Sequence, residues 1–365
     1  MFQVQTLSKQ ELLRTAMTAT LDALRPPKRR KPPTPLLQTK SSSALQDSLL
    51  HGLAHTPHLH SPSSSLLPFS SCLSSSSATA IAPFTHAPNS ISVEWIGHAM
   101  MLIRLAGKWI LTDPVLSERV GIEICGRVIG IERYTQPART LETLPKPDII
   151  LLSHAHLDHT DVPTLRRFAA KYPNEIHIVT AKNTHDIIDD LAWKSVHEID
   201  WEQELWLENI KISGLETLHN GWRLPWERDR AYGYSISGRS YNGYLIEGGG
   251  KKIVFGGDTA YTHKFSALRN RGIDIAIMPI GAYQGYETLH CTPEQALQMA
   301  SEMRAEYFIP MHCSTFDQSE EEPSEPLERL YSAALRHDMT VALTTIGESF
   351  VLPRQLMEAA YEEAP

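Results

Sequence analysis

The pattern of apolar and polar positions changes character near Ile91. From there, short apolar runs alternate with turn residues: SVEWIGH, AMMLIRLAG and KWILTDP follow closely and read as three successive strands. PDIILLS reads as a buried strand, and Val162–Tyr172 as a helix with Asp161 at its N-cap and Pro163 in its first turn. EIHIVTA predicts another strand and Asn183–Leu191 another helix. ELWLENIKISGLET and YNGYLIEGGGKKIVFGGD each read as a hairpin, the second turning at three glycines. The last third alternates strand and helix: IDIAIMPI, PEQALQMASEM, AEYFIPMH and EPLERLYSAAL, then strands at VALTTIG and ESFVL. Strand-rich halves that carry helices, without a G-x-G-x-x-G fingerprint, predict an α/β protein with sheets packed face to face and helices outside.

Before Ile91 the pattern is absent. RPPKRRKPPTP, HGLAHTPHLHSPSSS and SSCLSSSSATA bury too little apolar surface to offset the ordering of the backbone, so residues 1–90 are expected to be a disordered extension. Leu7, Leu13, Met17, Leu21 and Leu24 allow a short amphipathic helix within residues 7–24. The extension is basic and poor in acid, as a nonspecific tail or an organelle-targeting peptide would be. The ordered domain is placed at 91–354, and 355–365 as a C-terminal tail.

Composition narrows the classes. The net charge of −8 gives no whole-chain basis for a nucleic-acid partner. No apolar run approaches the roughly 20 residues of a transmembrane helix. Cys72, Cys125, Cys291 and Cys313 show no C-x-x-C pairing, which argues against a zinc ribbon or a disulfide framework and fits a reducing, cytoplasmic setting.

The candidate chemistry sits after PDIILL, in the stretch LLSHAHLDHTD. Residues two apart in an extended segment point the same way, so His154 and His156 can present nitrogens to one point. After a turn at Leu157, Asp158 and His159 can face a second point nearby. Imidazoles and carboxylates suit zinc, and two centres roughly 3.5–4 Å apart are the usual hydrolytic pair. Such a pair needs further ligands, and three candidates each end an apolar run: His219 after ISGLETL, Asp258 after KKIVFGG and His312 after AEYFIPM. Singly, each reads as a surface histidine or a turn aspartate. Their recurrence at strand ends is what points to one rim.

The order HAHLDH, His219, GGDT and MH resembles the metallo-β-lactamase superfamily over about Ile91–Leu352. The resemblance implies a four-layer αβ/βα sandwich with two zinc ions along one edge, manganese or iron being the alternatives. It implies that His154, His156 and His219 hold one metal, that Asp158, His159 and His312 hold the other, and that Asp258 bridges them. Asp113, in ILTDPV, matches a supporting aspartate; taken without the resemblance it reads equally as a turn residue before Pro114. WIGHAM, LTDPVLSER, GGDTAY, MPIGAY, HCTPEQAL and GESF look like the branch of N-acyl-phosphatidylethanolamine-hydrolysing phospholipase D, with the lactonase acting on ascorbate 6-phosphate a more distant similarity. In that pattern His290 binds substrate or transfers a proton, or is only a neighbour of a helix cap. His98 is either an orienting partner of the site or a satisfied core histidine.

The expected reaction is hydrolysis by water activated between two zinc ions, with Asp158 orienting it, on a phosphodiester such as a phospholipid. A small-molecule or lipid substrate, with peripheral membrane contact, follows from the same resemblance. HNGW at the third ligand and HCST at the last depart from that branch's His-Trp-Ser and His-Trp-Gly, which bears on the substrate rather than on the metal chemistry. A lactonase or other ester hydrolase is the first rival, a nuclease the second, and a non-catalytic metal-binding or redox protein the third. Trp193, Trp201, Trp206, Trp222 and Trp226 are candidates for an apolar groove or, more commonly for tryptophan, for plain core.

Overall fold

The computed structural model describes residues 91–224, 226–227, 238–337 and 339–353. The extension with its helix at 7–24 and the tail at 355–365 lie outside the described residues. In chain order, β1 (Ser92–Gly97), β2 (Met100–Leu105) and β3 (Lys108–Thr112) are followed by a separate hairpin, β4 (Arg119–Ile124) and β5 (Arg127–Glu132). Next come β6 (Ile149–Leu152), helix α1 (Val162–Lys171), β7 (His177–Ala181), β8 (Ser195–Ile199), β9 (Glu204–Leu207) and β10 (Ile210–Glu216). Then follow β11 (Asn242–Gly248), β12 (Lys251–Phe255), β13 (Ile275–Pro279), α2 (Pro293–Glu302) and β14 (Tyr307–Met311). The described chain closes with α3 (Glu325–His337), β15 (Thr340–Val341) and β16 (Ser349–Val351).

The strands form two seven-stranded sheets, ordered β16-β1-β2-β3-β6-β7-β8 and β15-β14-β13-β12-β11-β10-β9. One apolar cluster joins them, with Val93, Trp95, Met101 and Ile103 from the first sheet and Tyr244, Ile246, Ile253, Phe255 and Ile277 from the second. The runs IILL in β6 and IAIMP in β13 are buried along their whole length, as strands covered on both faces must be. Helix α1 buries Leu165 and Phe168, and α2 buries Ala296, Leu297, Met299 and Ala300. The helix–sheet–sheet–helix sandwich expected from the sequence is the observed fold.

Three local readings need correction. Asn183–Leu191 is not a helix but holds only a 3-10 turn at His185–Ile187. The Glu198 carboxylate of β8 accepts from the backbone N–H of Thr184 at 2.7 Å and of His185 at 2.9 Å, and the bonds that follow, Ile187 N–H to the Thr184 carbonyl at 3.2 Å and Ile188 N–H to the His185 carbonyl at 2.9 Å, reach back three residues rather than four. VALTTIG and ESFVL shrink to the short β15 and β16. The β4–β5 hairpin has no counterpart in the sequence reading. Asp161 does stand at the N-cap of α1, but its carboxylate accepts from Ser117 Oγ at 2.6 Å and Thr164 Oγ1 at 2.5 Å rather than capping the helix backbone.

Strand direction decides where the site lies. β3 and β6 are parallel, and β12, β13 and β14 are parallel. β10 pairs antiparallel with β11, which pairs antiparallel with β12, so β10 and β12 also point the same way. The residues just beyond β3, β6, β10, β12 and β14 therefore emerge at common sheet edges. The two edges are stitched together there. Tyr244 Oη donates to the Leu152 carbonyl at 2.8 Å, and Asn242 N–H donates to the Ser153 carbonyl at 3.0 Å. Gly257 lies in this seam at φ +57°, and a Cβ on it would stand 2.4 Å from the Asn242 carbonyl and 3.1 Å from Ser153 Cβ.

Gly257→Ala meets both backbone strain and a backbone clash, about 2–5 kcal/mol together, which lowers Tm by roughly 5–15 °C. Gly250, at φ +76° in an open turn with no atom within 4 Å of its added Cβ, is the comparison. Gly250→Ala should cost only the strain, about 1–2 kcal/mol and no more than roughly 5 °C. Circular dichroism melts of the two variants check the difference, and equal losses would remove the seam argument.

Candidate metal centre

The loop after β6 turns at Leu157–His159, where the backbone N–H groups of His159 and Thr160 donate to the His156 carbonyl at 3.2 and 2.8 Å. That turn points His154 and His156 to one side and Asp158 and His159 to another. The structure brings all seven candidate ligands together. Ligand atoms of His154, His156, His219 and Asp258 lie within 4.8 Å of one another, as do those of His98, Asp158, His159 and His312, and those of Asp258, His290 and His312.

Asp258 is the hub. Its Oδ2 is 3.0 Å from His312 Nε2, 3.2 Å from His159 Nε2, 3.8 Å from His219 Nε2 and 4.0 Å from His154 Nε2. His290 Nδ1 stands 3.9 Å from the same oxygen, so His290 faces the cluster and is more than a helix-cap neighbour. The capping box of α2, Thr292 with Gln295, fixes the start of the helix just beyond it.

The partners behind the donors decide which nitrogens are free. His219 Nδ1–H donates to the Leu289 carbonyl at 2.9 Å, and His156 Nε2–H donates to Asn220 Oδ1 at 2.7 Å. With those protons engaged, His219 Nε2 and His156 Nδ1 face each other 3.3 Å apart with lone pairs only. Two such lone pairs repel unless a cation lies between them and the neighbouring donors. His154 Nδ1–H donates to Ser153 Oγ at 2.8 Å, and Ser153 Oγ–H donates onward to Asp113 Oδ2 at 2.7 Å. Asp113 Oδ2 also accepts from His159 Nδ1–H at 2.7 Å. Asp113 thus orients two imidazoles without joining the donor cluster. His98 Nε2–H donates to Asp158 Oδ2 at 3.0 Å, and Gln318 Nε2–H donates to the same oxygen at 2.7 Å. The β-bulge between Trp95 and Gly97 turns the chain so that the His98 carbonyl also accepts from His312 N–H at 3.1 Å.

What remains unpaired is telling. Among the described buried atoms, His154 Nε2, His159 Nε2, both ring nitrogens of His312, His290 Nδ1, His98 Nδ1 and Asp258 Oδ1 have no hydrogen-bond partner. Buried polar atoms are ordinarily satisfied, and three of these orphans, Nε2 of His154, His159 and His312, stand 4.0, 3.2 and 3.0 Å from Asp258 Oδ2, as donors gathered around an ion would. The donor chemistry, imidazole nitrogen and carboxylate oxygen, fits a divalent transition metal.

Electrostatics agree. Burial would raise the carboxyl groups of Asp158 and Asp258, but His159, together with His312, holds both well below the ordinary range. Burial lowers His159 and His312, yet Asp258 and Asp158 outweigh it, holding His159 well above its usual value and His312 at about 9. The other rings stay neutral. Burial, with neighbouring imidazoles, puts His154 and His219 well below their usual value, lowers His156, and takes His98 to about 3 and His290 to about 4. The two carboxylates therefore demand nearby positive charge, which imidazolium supplies here and a divalent cation supplies with every ring neutral.

Ser153, Asn220, the Leu289 carbonyl, Gln318 and Arg223 are the site residues that sequence reading missed. Ser153 and Asn220 adjoin predicted ligands, a signal that was available; Leu289 and Gln318 carry none. The tryptophans are dispersed. Trp193 is core, its Nε1–H donating to the Ile188 carbonyl at 3.1 Å, and Trp206 is exposed on β9. Trp222 meets the site, its ring edge-on to His156 at 5.7 Å. Cys125, Cys291 and Cys313 are free thiols.

Comparison with known proteins follows the same line. A family model described as the beta-lactamase superfamily domain matches residues 108–313. An uncharacterised protein of Mycobacterium tuberculosis is 27% identical over 264 residues, covering 71% of this chain and 68% of that protein. N-acyl-phosphatidylethanolamine-hydrolyzing phospholipase D 1 of Caenorhabditis elegans is 28% identical over 265 residues, covering 68% and 72%. The solved structure of Igni18, a metallo hydrolase from Ignicoccus hospitalis, shares the fold with a TM-score of 0.51 at 19% identity, over 73% of this chain and all of that one. With residues 108–313 of 365 matched by the family model, the chain belongs to the metallo-β-lactamase superfamily, and its ring of histidines and aspartates serves the metal-dependent hydrolysis of that superfamily.

Proposed function

We propose that this protein is a dinuclear zinc hydrolase acting on phosphodiesters of the N-acyl-phosphatidylethanolamine type. The observation that carries the reading is a single carboxylate, Asp258, whose Oδ2 lies within 4.0 Å of ring nitrogens of both triads, His154 and His219 on one side and His159 and His312 on the other. His154, His156 and His219 would hold one zinc, Asp158, His159 and His312 the other, and Asp258 both. When bound, the pair would supply water ionised near neutral pH and charge neutralisation at the attacked centre. Manganese and iron suit the same ligands, and the nitrogen-rich set favours zinc.

The protein's own groups do the positioning. Asp158 Oδ2, gripped by His98 and Gln318, keeps its carboxylate fixed beside the histidines, where it would orient the attacking water. His290, lowered to about 4 chiefly by desolvation, keeps an exposed edge and would contact the substrate or accept a proton at a ring nitrogen. Trp222, exposed beside His156, would offer an apolar surface to the substrate.

The phosphodiester assignment rests on the likeness to the Caenorhabditis elegans phospholipase D. The HNGW departure is compatible with it, because Asn220 accepts from His156 Nε2–H and so supports the ring. Nucleic acid is disfavoured by the guanidinium groups near the site, which are already engaged. Arg223 and Arg133 donate to backbone carbonyls, and Arg239 pairs with Asp186 and Glu227. Among the described residues no helix is long and apolar enough to cross a membrane, so contact with a lipid substrate would be peripheral. The free thiols support a cytoplasmic setting.

Elemental analysis should find two zinc ions per chain, and Asp258→Ala should lose both zinc and turnover. An Asp258→Ala protein with full metal and activity would sink the bridging role. Asp113→Asn keeps the shape but weakens the support of His159 and Ser153, lowering zinc affinity about 10–100-fold in a chelator competition. In a substrate panel, bis(p-nitrophenyl) phosphate and N-acyl-phosphatidylethanolamine should be cleaved while homoserine lactones stay intact. Lactone turnover without phosphodiester cleavage would transfer the assignment to the ester-hydrolase rival.

A further inference from the structure

The loop from His154 to Thr160 carries ligands for both donor groups, yet it is neither helix nor strand, so its backbone bonds to itself only at the turn. Its buried carbonyls need donors from elsewhere. The His154 carbonyl accepts from Thr160 Oγ1 at 2.7 Å, and the His156 carbonyl accepts from the two amides of the turn. The carbonyls of Ala155 and Thr160, both on residues with no exposed surface, accept from one nitrogen of one side chain: Arg223 Nη1, at 2.8 and 2.9 Å. These two carbonyls bracket His156, Asp158 and His159.

Arg223 belongs to the connection that begins with His219. Its own position is fixed from behind. Its backbone N–H donates to Glu227 Oε2 at 2.8 Å, and the Glu227 carboxylate is gripped by Arg239 through Nε at 2.8 Å and Nη2 at 3.0 Å. Arg239 is anchored in turn to the Asn183 carbonyl at 2.7 Å and to Asp186 at 2.6 and 2.9 Å. A continuous chain of charge-assisted bonds thus runs from the loop before β8, through the His219 connection, to the metal loop.

We infer that Arg223 is a positioning residue for both donor groups: its guanidinium holds the His154–Thr160 loop in the shape that aims its ligands and locks that loop to the segment bearing His219. The inference rests on the metal reading given above. Among the described residues the Arg223 guanidinium bonds backbone carbonyls rather than ligand atoms, so it acts through those two carbonyls. Its planar, two-hydrogen nitrogen suits a pair of acceptors held at fixed positions, which a lysine ammonium would meet less well.

The test is cobalt(II) binding to the metal-free full chain, followed by chelator competition and by the visible spectrum of the bound ion, with circular dichroism of each metal-free variant. Arg223→Met should keep the native dichroism spectrum but lose about 10–100-fold in cobalt affinity, the range found when groups behind a ligand are removed. Its cobalt spectrum should change, because the ligands are aimed differently. Arg223→Lys, which keeps a donor, should recover part of the affinity. Asp274→Asn is the control for general destabilisation. Asp274 bonds Lys251 and the Lys252 backbone where β12 begins, at the opposite end of the strand from Asp258, so its loss should lower Tm without changing cobalt affinity. Wild-type affinity and spectrum in a folded Arg223→Met protein would overturn the inference, as would an equal loss in Asp274→Asn. Should Arg223→Met not fold, Glu227→Met carries the test, since it removes the acceptor of the Arg223 backbone N–H and leaves the guanidinium; a measurable loss is expected, and unchanged affinity overturns the inference. A wild-type chain that takes up no cobalt overturns the metal reading itself, and this inference with it.

Discussion

Two buried carboxylates, Asp158 and Asp258, are the constraint around which this protein is arranged. An ionised carboxylate in a buried setting is tolerable only where positive charge and hydrogen-bond donors surround it. Asp158 meets His98, Gln318, His159 and His312, and Asp258 meets five imidazoles. Every other structural choice near the site serves that demand. Parallel and doubly reversed strands deliver the ligands to common edges, the Gly257 seam lets the edges approach, and Asp113 and Ser153 turn the rings so that their lone pairs face inward.

The candidate ligands were legible in the sequence for two different reasons. His154, His156, Asp158 and His159 are local: spacing along one short loop is enough to see that they can face nearby points. His219, Asp258 and His312 are distant, and were visible because each ends an apolar run that reads as a strand. The supporting groups were less legible, because nothing local marks them. Gln318 reaches Asp158 only because the chain folds back after β14, and the Leu289 carbonyl orients His219 only because the residues before α2 pass beneath it. Arg223 looks in sequence like any solvated cation.

The misread elements show tertiary structure overruling local signals. At Asn183–Leu191 the first amides are held by a carboxylate from β8, and the bonds that follow reach back three residues rather than four, so the segment closes as a tight turn. The β4–β5 hairpin turns at Cys125 and Gly126, with φ +51° and +75°, a pair of left-handed residues ordinarily announced by Asn-Gly or Asp-Gly. Cysteine in the first position hides the turn. The tryptophans mislead in another way: nearness along the chain scattered them among the core, an exposed strand and the rim of the site.

The seam between the sheets has a consequence for the life of the protein in a cell. Donors on its two sides come from different sheets, so an ion held between them fastens the halves of the sandwich to each other, and neither half can open without releasing it. Binding that favours the closed form lowers the population of opened chains on which proteases act. Starvation for metal would therefore silence this enzyme twice, first by emptying its centre and then by shortening the time each molecule survives.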